Sequence, residues 1–370
     1  MLFFHKIYSE YIVKVTLMKK YIEPLLIHFP KIMCVAFLIT AILINPEVSV
    51  EGIKSGISLL LNTIIPSLFP FLVISSYIAS SNSFALLARL FSKITTFVFR
   101  VNPDGFIPFL LGLLGGYPIG AKTTAELYRA NRLTQNEAER LMYFTVNSGP
   151  AFTVTAVGIG MLNNYRAGLI LYTSNILTSL SIGFLCRFLS NKETLQKRNI
   201  AKSTKENAFI KSVSSGADAI INISAWVLMF SCISSIVSNI GINENFSLFF
   251  NCITEVTNGC KIISKTQSLP VISAILGFGG FSIICQIAPY LKECNVKMKN
   301  FVVSRILNSA LSAFFTAKLS SFFPFAEEAS VIYVSESKIV SVSYTIPATV
   351  ILIIMCLFFV LQVDNRKKVC

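Results

Sequence analysis

Long apolar runs alternate with short polar segments along most of the chain, and this pattern predicts a bundle of membrane-spanning helices. A helix needs about 20 apolar residues to cross the hydrocarbon core of a bilayer. Runs near that length occur at 27–45, 57–80, 140–162, 165–188, 216–240, 300–323 and 345–362. Shorter apolar pieces lie at 105–121 and 270–291. The pattern therefore indicates an all-α polytopic membrane protein.

One of the shorter pieces contains a broken stretch, LLGLLGGYPIGAK at 110–122. Gly115, Gly116 and Pro118 oppose helix continuation, because glycine is conformationally free and proline lacks an N–H. Polar and basic residues flank the apolar part on both sides. We predict a re-entrant hairpin that enters the membrane part-way, turns at the glycines and leaves on the same side. A kinked conventional span is the alternative.

The next apolar run contains a start signal and a break. Thr134 and Glu137 have the Thr-x-x-Glu spacing of a capping box, which predicts a helix from there to Asn147. We expect Gly149 to take a left-handed conformation and Pro150 to start a new helix. A broken helix leaves free carbonyl and N–H groups within the membrane, as in transporter binding sites. A kink filled by neighbouring side chains is the alternative.

The second half of the chain repeats the plan of the first. Three pairs of segments align in the same order at offsets of 160, 164 and 161: 55–75 with 215–235, 115–121 with 279–285, and 146–148 with 307–309. Near-equal offsets indicate an internal duplication. The duplication predicts a second hairpin near Gly279 and a second broken helix near Asn308.

The duplication and its flanks divide the chain into five parts. These are an amphipathic lead-in at 1–25, a first transmembrane helix at 26–50, a first repeat at 51–190, a basic linker at 191–207, and a second repeat with the C-terminal transmembrane helix at 208–370. The positive-inside rule places the linker in the cytoplasm. If each repeat crosses the membrane an odd number of times, the second repeat is inverted relative to the first. Its own basic residues then lie outside the cytoplasm. The orientation of that half stays open, and Met18 is an alternative start.

Composition narrows the function classes. Hydrophobic residues make up 54% of the 370 positions and charged residues 14%, and the mean hydropathy of +0.67 fits a membrane protein. The net charge of +14 comes from residues beside apolar runs, so a lipid bilayer is the expected partner and nucleic acid is not. Two histidines and scattered cysteines give no metal-site spacing. We expect no enzyme activity, no cofactor and no metal.

Polar residues inside the apolar runs are the candidate binding residues. Asp218 and Glu255 are costly in a membrane and need a partner or a wet cavity, whereas asparagine and glutamine suit an uncharged polar solute. Interhelical hydrogen bonding, worth ~0.6 kcal/mol on average, is the alternative use. Lys122 either serves an anionic group or extends to the interface. The candidate substrate-binding residues are Gly115, Gly116, Tyr117, Pro118, Gly120, Lys122, Asn147, Ser148, Glu255, Asn258, Gln286, Asn308 and Ser309.

Four motifs together resemble one known family. LLGLLGGYPIGAKTTAELY and then NSGPAF in the first half, with TEVTNGC and GFGGFS in the second, look like the sporulation integral membrane protein YlbJ family. The resemblance extends from about residue 30 to residue 362. It implies the Gate, or nucleoside recognition, domain twice. The implied fold is two inverted Gate-type repeats, each with a re-entrant hairpin and a broken transmembrane helix, similar to the core of concentrative nucleoside transporters.

The resemblance also implies a biological setting. It implies a multi-pass protein in the mother-cell or forespore membranes of a sporulating bacterium, needed for spore cortex formation. We expect a transporter or channel-like protein for a small polar solute, either nucleoside-like or a cortex precursor. The alternative is a non-transporting scaffold component of the cortex assembly machinery, which contacts other sporulation membrane proteins.

Overall fold

The chain is helical throughout the part that the structure describes. The computed structural model describes residues 23–80, 90–190, 208–239, 244–266 and 268–323, and these ranges contain helices and no strand. The predicted all-α class is confirmed. Most of the lead-in, the linker at 191–207 and the apolar run at 345–362 lie outside the described residues.

Thirteen main helices form the described ranges, with short helical turns between some of them. In the first half they are α1 Glu23–Ile44, α2 Pro46–Leu59, α3 Ile65–Ser80, α4 Phe106–Gly115, α5 Tyr117–Arg129, α6 Gln135–Thr145 and α7 Tyr165–Cys186. A π-turn, Leu60–Ile64, joins α2 to α3, and a π-helix, Ala151–Met161, precedes α7. In the second half they are α8 Ala208–Asn239, α9 Glu244–Thr254, α10 Val256–Ile263, α11 Leu269–Phe278, α12 Gly280–Glu293 and α13 Met298–Phe322.

Several helices are long and apolar enough to cross a membrane. Within the described residues these are Tyr165–Leu189, Phe209–Asn239 and Leu269–Glu293. A fourth candidate is bent by 101° between Val35–Ile44 and Pro46–Asn62. The bend lies at Asn45, whose φ of −125° and ψ of 62° are not helical, because Pro46 disfavours the helical conformation of the residue before it. The multi-pass membrane class is confirmed.

The second hairpin predicted near Gly279, in the apolar piece at 270–291, is not confirmed. Gly279 and Gly280 have φ values of 83° and 79° and separate α11 from α12. Residues 269–293 together still have the length and hydropathy of one candidate span. The corresponding residues of the first half do not, because α5 becomes polar soon after Pro118.

Two pairs of helices fold back on themselves. Between α4 and α5, Gly116 has φ 107°, and a Cβ on Gly112 would lie 3.2 Å from the Cα of Gly120. Residues eight apart approach this closely only if the helix reverses direction. Between α9 and α10, a Cβ on Gly259 would lie 2.9 Å from the Cα of Cys252. The first fold-back lies at the predicted turn, and the second, at Glu255, was not predicted.

The broken helix expected in the first half is present, with one correction. α6 starts with the predicted capping box, ends at Thr145, and is followed by four non-helical residues. Gly149 does not have a positive φ, so the left-handed assignment was wrong. A glycine is needed there for space instead, because a Cβ on Gly149 would lie 3.1 Å from the carbonyl carbon of Gly115.

The matched break near Asn308 is absent. α13 continues through Asn308 from Met298 to Phe322. The physical reason is the sequence after the asparagine: Asn147 and Ser148 are followed by Gly149 and Pro150, whereas Asn308 and Ser309 are followed by alanine and leucine, which favour a helix.

The helices pack around α5. α5 contacts α3, α4, α6 and α12, while α8 lies along α2 and α3, and α11 lies along α13. Phe99, Phe109 and Phe144 form a buried aromatic cluster beside α4 and α6. Large apolar side chains stay exposed on the outside, among them Phe37, Val303 and Phe314, as expected for a surface in contact with lipid.

Candidate functional site

A cleft lies where the two fold-backs meet. It encloses roughly 620 Å³, including its open mouth. Its lining residues come from six α-helices, from the π-helix and from the turns between them: Ile64, Leu68, Gly115, Gly116, Tyr117, Pro118, Gly149, Ala151, Phe152, Ile223, Val227, Glu255, Val256, Thr257, Ile283 and Gln286. The turn at Gly116 and the turn at Glu255 are therefore parts of one site.

The first turn presents the start of α5 to the cleft. Gly116 is the N-cap, and its dihedrals of φ 107° and ψ −175° are essentially restricted to glycine. Pro118 follows within the first turn of the helix, where its missing N–H costs nothing. Tyr117 is buried, and its hydroxyl donates to the carbonyl of Leu276 on α11 at 2.7 Å. This bond fixes the first turn to the second half of the chain.

The second turn presents a carboxylate to the cleft. Glu255 is the N-cap of α10, and its side chain accepts a 2.7 Å hydrogen bond from the backbone N–H of Asn258. Only 3% of Glu255 is exposed. Among the residues that the structure describes, no other aspartate or glutamate lines the cleft. Glu255 has no ion-pair partner within 4 Å among the described residues. A buried carboxylate in this setting is suited to bind a hydrogen-bond donor.

The remaining walls of the cleft are mostly apolar. Leu68, Phe152 and Ile223 contribute aliphatic and aromatic surface from α3, the π-helix and α8. Gln286 adds a polar group from α12, and its amide donates to the Ser282 hydroxyl at 3.1 Å. Apolar walls with a few placed polar groups are typical of sites for small molecules.

Behind the cleft, the end of α6 is held by the protein itself. A helix leaves its last four carbonyl groups without helical partners. The Tyr143 carbonyl accepts from Asn308 at 3.1 Å, and the Phe144 carbonyl accepts from Asn147 at 2.7 Å. Ser179 also donates to the Phe144 carbonyl. The asparagines therefore have structural partners at this break.

The two other carbonyl groups at this end are also covered. The Thr145 carbonyl oxygen is packed between two glycines, since a Cβ on Gly112 or Gly120 would lie 2.1 or 2.0 Å from it. The Val146 carbonyl accepts a hydrogen bond from the guanidinium of Arg305. All four carbonyl groups from residue 143 to residue 146 thus face protein groups.

The first part of the cleft lies in a recognisable domain. Residues 61–165 match the family model of the Gate domain, described as nucleoside recognition. This stretch of the chain is similar to a Gate domain. It extends from the π-turn before α3 to the start of α7 and so includes the turn at Gly116 and the break at 146–149.

A relative supports the same assignment over a longer stretch. The chain is 27% identical over an alignment of 323 residues to the sporulation integral membrane protein YlbJ of Bacillus subtilis (strain 168), and the match covers 75% of this chain and 79% of the relative. The resemblance drawn from the sequence motifs is confirmed. The second Gate-type repeat stays a prediction. No solved structure matches the chain.

The predicted site residues separate into two groups. Those that line the cleft are Gly115, Gly116, Tyr117, Pro118, Glu255 and Gln286. The others are Gly120, Lys122, Asn147, Ser148, Asn258, Asn308 and Ser309, which do not line it. The Gate domain contributes residues to both groups.

The residues of the second group make contacts within the protein. Ser148 accepts from Thr153 and Asn175, at 2.8 and 3.2 Å. The Asn258 amide donates to Ser234 at 2.9 Å, and Ser309 donates to the carbonyl of Ala274 at 2.8 Å. These bonds hold the helices that carry the cleft.

Lys122 lies in a second, polar cleft between α5, α8 and α12. It is 3% exposed, forms a 3.4 Å ion pair with Glu126 and donates to Ser76 and to the Leu72 carbonyl. The anionic group expected for Lys122 is therefore supplied by this chain.

Sequence reasoning missed several residues of the site. Leu68, Phe152, Ile223 and Val227 have no sequence signal, because an apolar residue in an apolar helix gives none. The sequence does contain a signal for Arg305, because a charged residue inside an apolar run needs a partner and marks a functional or structural position.

Proposed function

We propose that the protein binds a small polar solute in the cleft between the turns at Gly116 and Glu255 and moves it across the membrane. The observation that carries the proposal is the buried carboxylate of Glu255 in an otherwise mostly apolar cleft. The solute class we propose has an apolar face and hydroxyl or amine donors, as in a nucleoside-like molecule or an amino-sugar cortex precursor. The protein is not an enzyme in this proposal.

The electrostatics of the cleft support a polar solute. α5 and α10 both begin at the cleft, so two helix N-termini direct partial positive charge toward it. Glu255 supplies negative charge at the second of these N-termini. A solute with both donors and acceptors complements this arrangement, while Leu68 and Phe152 contact its apolar face.

The proposal includes a fold-level expectation. The fold-back of α4 and α5 acts as a re-entrant hairpin within an inverted pair of Gate-type repeats, and alternating access arises from movement of one repeat against the other. The turn at Gly116 supports this, because non-helical backbone inside a membrane is tolerated where it lines a cavity.

The biological role we propose is spore cortex formation in a sporulating bacterium. The sporulation integral membrane protein of Bacillus subtilis, with which this chain aligns over most of its length, supports that setting. A scaffold that only contacts other sporulation membrane proteins is the alternative.

Solute binding tests the proposal directly. Purified protein in lipid nanodiscs is assayed with radiolabelled nucleosides, N-acetylated amino sugars and soluble peptidoglycan precursors. We expect saturable binding of one class and at least tenfold weaker binding by Glu255→Gln, since hydrogen bonds to a charged group contribute about 1.5–3 kcal/mol. Lys265→Gln, at an exposed position outside the cleft, serves as the control.

Complementation separates transport from scaffolding. Gly116→Val and Glu255→Gln are produced in a Bacillus subtilis strain that lacks its relative, with membrane insertion checked by immunoblot. Loss of cortex with normal insertion is expected. If the wild type restores cortex but binds no solute, and both variants restore cortex as well, the scaffold alternative replaces the proposal.

A further inference from the structure

A buried cation on α13 forms no ion pair with a carboxylate among the described residues. Arg305, on α13, is 1% exposed. The ion pairs of the described residues join Lys122 to Glu126, Arg129 to Glu293 and Arg132 to Asp104, and none includes Arg305. A bare buried charge is costly, so the position requires an explanation.

The partner of Arg305 is the broken end of α6. Its Nη1 donates to the carbonyl of Val146, the residue immediately after that helix. The ring of Phe301, one turn earlier on α13, lies 5.8 Å from the guanidinium carbon. The C-terminal end of a helix carries a partial negative charge, so a cation there is stabilised. The helix end takes the place of a carboxylate.

The same kind of helix end binds ions in transporters. In folds with broken transmembrane helices, the carbonyl groups at the C-terminal end of a half-helix coordinate Na⁺ or H⁺. Here the four carbonyl groups of residues 143–146 are covered by Asn308, Asn147, two glycines and Arg305. The Val146 carbonyl already faces a positive charge.

We propose that Arg305 is a tethered cation that permanently supplies the positive charge at this break, so that no alkali ion binds there. Arg305 is thus a positioning residue: it holds the end of α6 in place without a coupling ion at that point. The folded state around the break is then independent of Na⁺. This inference does not depend on which solute the cleft binds.

Thermal unfolding of the purified protein in nanodiscs tests the proposal. The melting temperature is measured in sodium, potassium and choline chloride at one ionic strength. Wild type is expected to melt at the same temperature in all three salts. Arg305→Ala is expected to melt several degrees lower in choline chloride. Low millimolar guanidinium should partly restore the melting temperature of this variant, and Na⁺ should restore it more than choline does.

Lys318→Ala is the matched control. Lys318 lies on the same helix, and its amine lies 5.9 Å from the ring of Phe314, four residues earlier, as Arg305 lies over Phe301. Unlike Arg305, Lys318 is exposed. We expect a small change in melting temperature and no restoration by guanidinium or Na⁺. A general effect of either salt would appear in both variants.

Two results would overturn the proposal. One is a Na⁺-specific rise in the melting temperature of the wild type. The other is an Arg305→Ala variant that guanidinium restores no better than Lys318→Ala. If Arg305→Ala does not fold, Arg305→Lys is compared with Arg305→Gln: the lysine variant should melt higher, and equal melting temperatures would show that the charge is irrelevant.

Discussion

At the scale of single residues, the site depends on a backbone conformation that only one residue type adopts well. Gly116 has φ 107° and ψ −175°, in a region that residues with a Cβ avoid. Its neighbours leave room for a methyl group, since the nearest atoms to a Cβ there lie at 3.5 Å. The requirement for glycine is therefore conformational rather than steric.

Gly116→Ala should lower the stability of the protein by about 1–3 kcal/mol, the cost of holding a non-glycine residue in such a region. Thermal unfolding in nanodiscs measures the change. Gly160→Ala is the control, because Gly160 has no positive φ and meets only the Thr155 carbonyl oxygen, at 3.5 Å. Equal melting temperatures for the two variants would contradict the conformational explanation.

At the scale of elements, α6 is fixed at both ends by different means. At its start, Thr134 accepts from the backbone of Glu137, and the Glu137 carboxylate accepts from the Thr134 N–H at 2.8 Å. At its end, contacts from α13 and from the asparagine of the break cover the carbonyl groups. Local sequence specifies the first end, and distant residues specify the second.

Thr134→Ala should destabilise the protein by about 1 kcal/mol, as loss of an N-cap side chain usually does. The change is measured by thermal unfolding, and Ser321→Ala, an exposed hydroxyl near the end of α13, should change stability by less than about 0.5 kcal/mol. Thr134→Ser keeps the capping oxygen and should restore most of the loss. An unaffected Thr134→Ala variant would mean that tertiary contacts alone start α6.

At the scale of the whole molecule, a few polar contacts join the two halves of the chain. Tyr117 bonds to α11, Asn308 and Arg305 bond to the end of α6, and Arg129 on α5 forms a two-pronged ion pair with Glu293 on α12. Both prongs of that pair are 2.7 Å long. Of these contacts, the ion pair joins two helices that line the cleft, α5 from the first half and α12 from the second.

Glu293→Gln should weaken this connection by at most about 1 kcal/mol, because the Arg129 side chain is 67% exposed and surface ion pairs contribute little. The loss should shrink at high salt, where exposed charges are screened. Melting temperatures of wild type and variant at low and high NaCl check this. A loss that does not change with salt would indicate a packing effect of Glu293 instead.

The sequence by itself determined the features that depend on neighbouring residues or on overall polarity. The apolar runs predicted a helical membrane protein, the glycines and Pro118 predicted the turn at Gly116, and Thr134 and Glu137 predicted the start of α6. Each of these follows from local backbone preferences or from the cost of polar groups in lipid. The motifs also indicated the Gate domain.

Only the tertiary structure decided which residues meet. It separated Glu255 and Gln286, which line the cleft, from Asn147 and Asn308, which serve the break in α6. All four are polar residues in apolar surroundings, a pattern that does not indicate which of them share a site. An alignment of short motifs likewise suggested a break in α13 that the helix does not have. The reason is physical: a polar side chain in a membrane takes the nearest unsatisfied group as its partner, and folding determines which group that is.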